Sequence, residues 1–115
     1  MIKRKKDMVV EQREKMRGGD GVVFVEHFFK PEEIAAKSRL CARLSIPKGG
    51  SIGLHQHNGE DEVYIILKGQ GLLYDGISEN EVSEGDAILT GKGESHSIKN
   101  SGNDVLEMIA VIMCY

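Results

Sequence analysis

Two histidines separated by one residue, His55 and His57, are followed by Asn58-Gly59-Glu60-Asp61-Glu62 and answered by His96 later in the chain. On a strand, side chains at i and i+2 project from the same face. With a rise of about 3.3 Å per residue their Cα atoms lie roughly 6.6 Å apart. Two imidazoles at that spacing can converge on one ion held about 2 Å from each ring nitrogen. The connection Asn58 to Asp61 is short enough to close a hairpin, which would set Glu62 opposite His57 on an adjacent strand. Glu60 and Asp61 would then lie in the turn and face solvent. His96 shares its face with Ile98 by alternation and is therefore aimed inward. Three imidazoles and a carboxylate form a mixed N/O set that suits Mn, Fe, Ni, Co or Zn, and four protein ligands leave room for water or a substrate.

The elements that must hold these residues read as short strands. From Gly21 onward, apolar runs alternate with turn signals, predicting strands over 22–28, 39–46, 52–57, 62–67, 72–74, 80–82, 87–90, 96–99 and 105–114. Asp75-Gly76 and Asn58-Gly59 are favourable turn dipeptides. Pro31 opens a segment suited to one or two helical turns. Nine short strands with almost no helix predict a small antiparallel sandwich or barrel, with one domain over 21–115 and an arm over 1–20. Within that arm, 9–16 reads as a short helix ended by Gly18-Gly19 or as an ordered extension. Several strands are apolar on both faces: Val63, Ile65 and Leu67 on one side, Tyr64 and Ile66 on the other. One face fills the core and the other needs cover, which predicts a homodimer.

Composition narrows the functional classes. A net charge of −3 gives no electrostatic case for nucleic acid. The basic cluster Lys3-Arg4-Lys5-Lys6 is diluted by Asp7, Glu11 and Glu14, and no apolar segment follows it, so it reads as a solvated arm rather than a secretory signal. No run approaches the ~18 consecutive apolar residues of a membrane span. Cys41 and Cys114 belong to no C-x-x-C pair and are read as reduced thiols in a cytoplasmic protein.

These residues also carry a resemblance. The cupins have a first motif G-x5-H-x-H-x(3,4)-E-x6-G and a second motif G-x5-P-x-G-x2-H-x3-N. The first is met at every interval by Gly49, His55, His57, Glu62 and Gly69, and the second by Gly85, Gly93, His96 and Asn100. Gly91 stands where the family usually has proline. The resemblance implies an all-β, double-stranded β-helix or jelly-roll barrel with His55, His57, Glu62 and His96 as ligands of one divalent metal, Mn or Fe foremost. It assigns turns to Gly49, Gly69, Gly85 and Gly93, and a structural hydrogen bond to Asn100.

Within the family the chain is similar to small cupins related to oxalate decarboxylase. That likeness implies a small carboxylate such as oxalate as substrate, and a decarboxylase or dioxygenase reaction. A non-catalytic metal-dependent binding or sensor protein is the first alternative, and a sugar-isomerase-like cupin the second. The larger oxalate decarboxylases carry a substrate-binding arginine three residues before the first motif histidine, where this chain has Ile52. Arg43 on the preceding strand is the expected substitute if it faces inward, while an outward, salt-bridged Arg43 fits the pattern equally. Tyr64 shares the face of Glu62 and is a second expected substrate contact.

Overall fold

A computed structural model describes all 115 residues. Ten strands follow one another: β1 Val9–Glu14, β2 Val22–His27, β3 Ser38–Ile46, β4 Ser51–Gln56, β5 Glu60–Lys68, β6 Gln70–Tyr74, β7 Glu79–Ser83, β8 Ala87–Thr90, β9 Ser95–Asn100 and β10 Leu106–Cys114. Three single 3-10 turns complete the chain, one of them at Pro31–Glu33, where the proline opens the turn. The nine strands read from the sequence are present within two residues at each end. The tenth, β1, replaces the short helix considered for 9–16, because its backbone pairs with β2 from Val9↔His27 to Glu14↔Val22.

The strands form two antiparallel sheets with orders β1-β2-β3-β10-β5-β8 and β4-β9-β6-β7. Alternation directs Leu40, Ala42, Leu44 and Ile46 of β3, Tyr64 and Ile66 of β5, and Leu106, Met108, Ala110 and Ile112 of β10 inward. They meet Ile52, Leu73, Val82 and Ile98 from the opposite sheet. Burial of this apolar surface supplies the main drive for folding, at about 25 cal/mol per Å².

Two local features depart from simple alternation. Ile52 pairs with Ile98 and His55 with His96, so β4 spends three residues where β9 spends two. This bulge lets Ile52 and His55 both point inward, although plain alternation would put them on opposite faces. The second concerns the expected hairpin between His57 and Glu62, which does not form. β4 pairs with β9, whereas both edges of β5 are taken by β10 and β8. Asn58-Gly59 instead carries the chain from one sheet to the other, with Gly59 at φ +67°.

Gly69 joins β5 to β6 at φ +88°, and a Cβ there would stand 2.6 Å from the Val105 carbonyl oxygen. Gly69→Ala should therefore combine left-handed strain with a backbone clash and cost at least about 2 kcal/mol of stability. Urea unfolding of the variant with an unchanged midpoint would contradict this.

Candidate metal centre

His55 and His57 enter the barrel from β4 and the residue after it, His96 from β9, and Glu62 from β5 across the sandwich. Their nearest donor atoms all lie within 4.8 Å of one another. His57 Nε2 and His96 Nε2 are 3.0 Å apart, and His96 Nε2 and His55 Nε2 3.1 Å. Glu62 Oε1 lies 3.0 Å from His57 Nε2, 2.9 Å from His96 Nε2 and 3.9 Å from His55 Nε2.

The other side of each ring decides what these contacts are. His55 Nδ1 donates to the Gly53 carbonyl at 2.7 Å, and His57 Nδ1 to Glu60 Oε2 at 2.6 Å. His96 Nδ1 is 2.9 Å from Thr90 Oγ1. A carbonyl and a carboxylate can only accept, so the His55 and His57 rings carry their proton at Nδ1; the Thr90 hydroxyl can donate or accept, and it accepts from His96 Nδ1 in the tautomer that leaves Nε2 free to ligate. Each Nε2 then presents a lone pair to the centre. Burial works against ionisation of the Glu62 carboxyl, and protonation of the facing rings at Nε2 offsets it and brings its pKa to about 2; a cation at the same point acts in the same sense. Burial lowers the pKa of His96, against the raising effect of Glu62, and this favours its neutral ring. With His96 in the ligating tautomer four acceptors converge, and Glu62 Oε1 is buried without a hydrogen bond. A cation satisfies such a set, and neutral imidazoles with an ionised carboxylate are the forms that ligate one.

Tyr64 is buried and stacked on His96, with ring centroids 5.0 Å apart at 16°. Burial, then the charge of Glu62, raises its phenol well above the ordinary range and keeps the hydroxyl protonated. Arg43, the expected substitute cation, lies on the outer face of β3. Its Nε is 3.7 Å from Glu26 Oε1 and its guanidinium sits over Phe28. Its in-register neighbour is Ile109, opposite in phase to the inward Met108 and Ala110, so the barrel wall separates it from the histidines.

Three features escaped the sequence reading. Glu60 is no solvated turn residue: it receives His57 and is gripped by Arg39 Nε and Nη2 at 2.8 and 2.6 Å. Arg39 lowers its pKa to about 2, burial opposes this, and His57 adds to the lowering. The signal was its position three residues after His57. Arg13 and Arg17 of the N-terminal segment line a cavity of about 50 Å³ together with Met16, Arg39, Leu40, His55, His57, Glu62, Tyr64 and Ile112. No sequence pattern brought that segment to the site. Gly91, which stands at the motif's proline position, is tightly constrained. A Cβ there would meet Asp61 Oδ1 at 1.8 Å, and its N–H donates to Glu94 Oε1 at 3.2 Å, which proline cannot do. The largest cavity, about 650 Å³, is a trough on the outer face of the four-stranded sheet with none of the four donor residues in its lining. The chemistry belongs to the smaller one.

Two facing sheets with three histidines and a glutamate directed between them agree with what similarity to known proteins gives. The chain belongs to the cupin family, whose cupin domain matches residues 42–112. It is 43% identical to the oxalate-binding protein of Thermotoga maritima over 113 residues, 98% of this chain and 93% of that protein. It superposes with a TM-score of 0.94 and 43% identity on the crystal structure of a predicted oxalate decarboxylase from the same organism, covering 100% of both chains. The polyketide cyclase RemF from Streptomyces resistomycificus shares the fold at 20% identity with a TM-score of 0.77, over 100% of this chain and 81% of that one.

Glu60→Gln should leave the fold intact and weaken metal binding about 10- to 100-fold, because an anchor of His57 is lost; titration calorimetry with Mn²⁺ measures this. The linkage to pH is fixed in sign. The Glu60 pKa is depressed from 4.5 to about 2, so its stabilising contribution is present above the ordinary value and lost as pH falls toward the folded one. The thermal midpoint of metal-free Glu60→Gln should accordingly fall less than that of wild type between about pH 5 and pH 2.5.

Proposed function

We propose that this cupin binds one divalent transition-metal ion through His55, His57, Glu62 and His96 and, at that ion, a small dicarboxylate of the oxalate class. The convergence of four acceptors, three of them on buried residues, carries this reading. Donor separations of about 3.0 Å suit adjacent corners of an octahedron with bonds of about 2.1 Å, whereas a tetrahedron at that length needs about 3.4 Å. That favours Mn or Fe, with Ni or Co next, over tetrahedral Zn. When bound, the ion supplies Lewis-acid attraction for carboxylate oxygens and coordination positions the protein leaves free.

The chain's own residues do the rest. Gly53, Glu60 and Thr90 orient the three rings, and Ile112 and Leu40 exclude bulk water from one wall of the cavity. A cavity of about 50 Å³ holds roughly two waters. It is in scale with oxalate and small for a sugar, which tells against the isomerase alternative. The relative named for oxalate binding supports the ligand class.

Of the two modes for that ligand, binding without turnover is favoured by where the acids sit. Glu60 is committed to Arg39 and His57, and Glu94 to the Gly91 turn. The enzymatic reading rests on Tyr64, whose hydroxyl, kept protonated by burial, is a hydrogen-bond donor at the cavity. Mn-loaded protein should bind oxalate in calorimetry and release neither formate nor CO2 from it, while His96→Ala should lose stoichiometric metal. Steady release that disappears in Tyr64→Phe would establish the decarboxylase instead.

We further propose a homodimer through the outer face of the six-stranded sheet and, from the two free cysteines, a reducing, cytoplasmic setting. Ile65, Leu89 and Met113 are exposed there beside half-buried Val63, Ile109 and Val111. Such a patch fits an interface. No helix is long and apolar enough to cross a membrane. Ile65→Glu should sediment as a monomer with its metal affinity unchanged; a wild type that is itself monomeric would refute the interface.

A further inference from the structure

The proposed site has its metal donors but needs a cation to meet an anionic ligand, and Ile52 of β4, 1% exposed, supplies only hydrocarbon beside them. Arg43 faces away. Three other arginines line the cavity: Arg13, Arg17 and Arg39. Arg39 is held by both oxygens of Glu60, and Arg13 Nε by Glu11 at 3.3 Å. Arg17 enters no ion pair and is exposed to solvent while lining the cavity.

The backbone that carries Arg17 is fixed with unusual care. Lys15 and Arg17 both adopt left-handed conformations, at φ +47° and +53°, which cost of order 1 kcal/mol each and persist only where surrounding contacts impose them. Those contacts are present. Met16 packs against the core. Ser51 N–H donates to the Asp20 carbonyl at 2.9 Å, and Asp20 N–H to Ser51 Oγ at 2.8 Å. The Arg17 carbonyl lies so close to Gly53 that a Cβ there would be 2.1 Å away. Gly53 is also the residue whose carbonyl orients His55. One glycine thus ties the arginine's main chain to a metal donor.

We infer that Arg17 is the anion-recognition residue of this site: its guanidinium, brought to the cavity by the N-terminal segment, donates to carboxylate oxygens of the bound dicarboxylate. This rests on the proposed metal-dependent acid binding and names its specificity determinant. A guanidinium matches a carboxylate through paired N–H donors. Because Arg17 is far in sequence from the motifs, the segment 15–21 is part of the binding site rather than an appendage.

The test uses Mn-loaded wild type, Arg17→Asn and Arg17→Lys, with oxalate and acetate as probes. Asparagine tolerates positive φ, so the turn should survive, and circular dichroism with Mn²⁺ titration checks that fold and metal site are intact. Arg17→Asn should bind oxalate about 10- to 100-fold more weakly, the range for a charged hydrogen-bonded contact. Acetate binding should change much less, and Arg17→Lys should recover part of the loss. Oxalate affinity within threefold of wild type in Arg17→Asn, with metal bound normally, overturns the role of Arg17 and leaves the proposed function standing. A variant that loses its Mn²⁺ overturns it as well, since Arg17 would then support the metal site. Wild-type holoprotein that binds no oxalate overturns both.

Discussion

Four electron-pair donors forced together in an apolar barrel are the constraint on which the rest of the structure depends. With all three rings in the ligating tautomer each contact among them is repulsive without a cation, and burial denies the water that would otherwise screen it. The set is retained because the surroundings hold it there. Core residues of both sheets fix the strands, and separate acceptors take up the Nδ1 protons of the rings. A centre built this way is pre-organised, so little conformational freedom remains to be lost when an ion arrives.

The division of labour between the sheets follows from that demand. The four-stranded sheet supplies all three imidazoles, from β4, the residue after it and β9, while β5 of the other sheet supplies the carboxylate and Tyr64. The site is therefore a seam between two layers. The Asn58–Gly59 crossover keeps the two halves of the first motif only a few residues apart in the chain while seating them on opposite walls. Asn100 performs a comparable structural task at the far end of β9, donating to the carbonyls of Ile46 and Asp104 and so joining β9 to the end of β3 and to the loop before β10.

The motif intervals made the four donors legible, because spacing along strands is a local property that survives any error in topology. The nine strands after Gly21 were legible for the same reason. Relations between distant segments were not. Alternation alone cannot reveal the bulge between Ile52 and His55, since it arises from pairing with β9. A short turn-rich connection reads as a hairpin unless the partners of β5 are known, and they lie at β8 and β10. β1 carries mixed polar and apolar residues on an exposed edge, so its strand character comes from β2 rather than from its own pattern. Arg17 was hidden most completely, because its place depends on two glycines, Gly19 and Gly53, letting backbones meet.

The bulge in β4 has a consequence for how the strand tolerates change. An extra residue in a ladder leaves pairing groups unmatched, and a chain shortened by one residue there would regain an unbroken register with β9 while keeping Ile52 and His55 directed inward. By hydrogen-bond count alone the shorter strand is the better strand. What it would forfeit is the Gly53 carbonyl poised 2.7 Å from His55 Nδ1, and with it control over which nitrogen of that ring stays free of a proton. The irregularity is thus a device for choosing a tautomer, kept at the expense of sheet regularity.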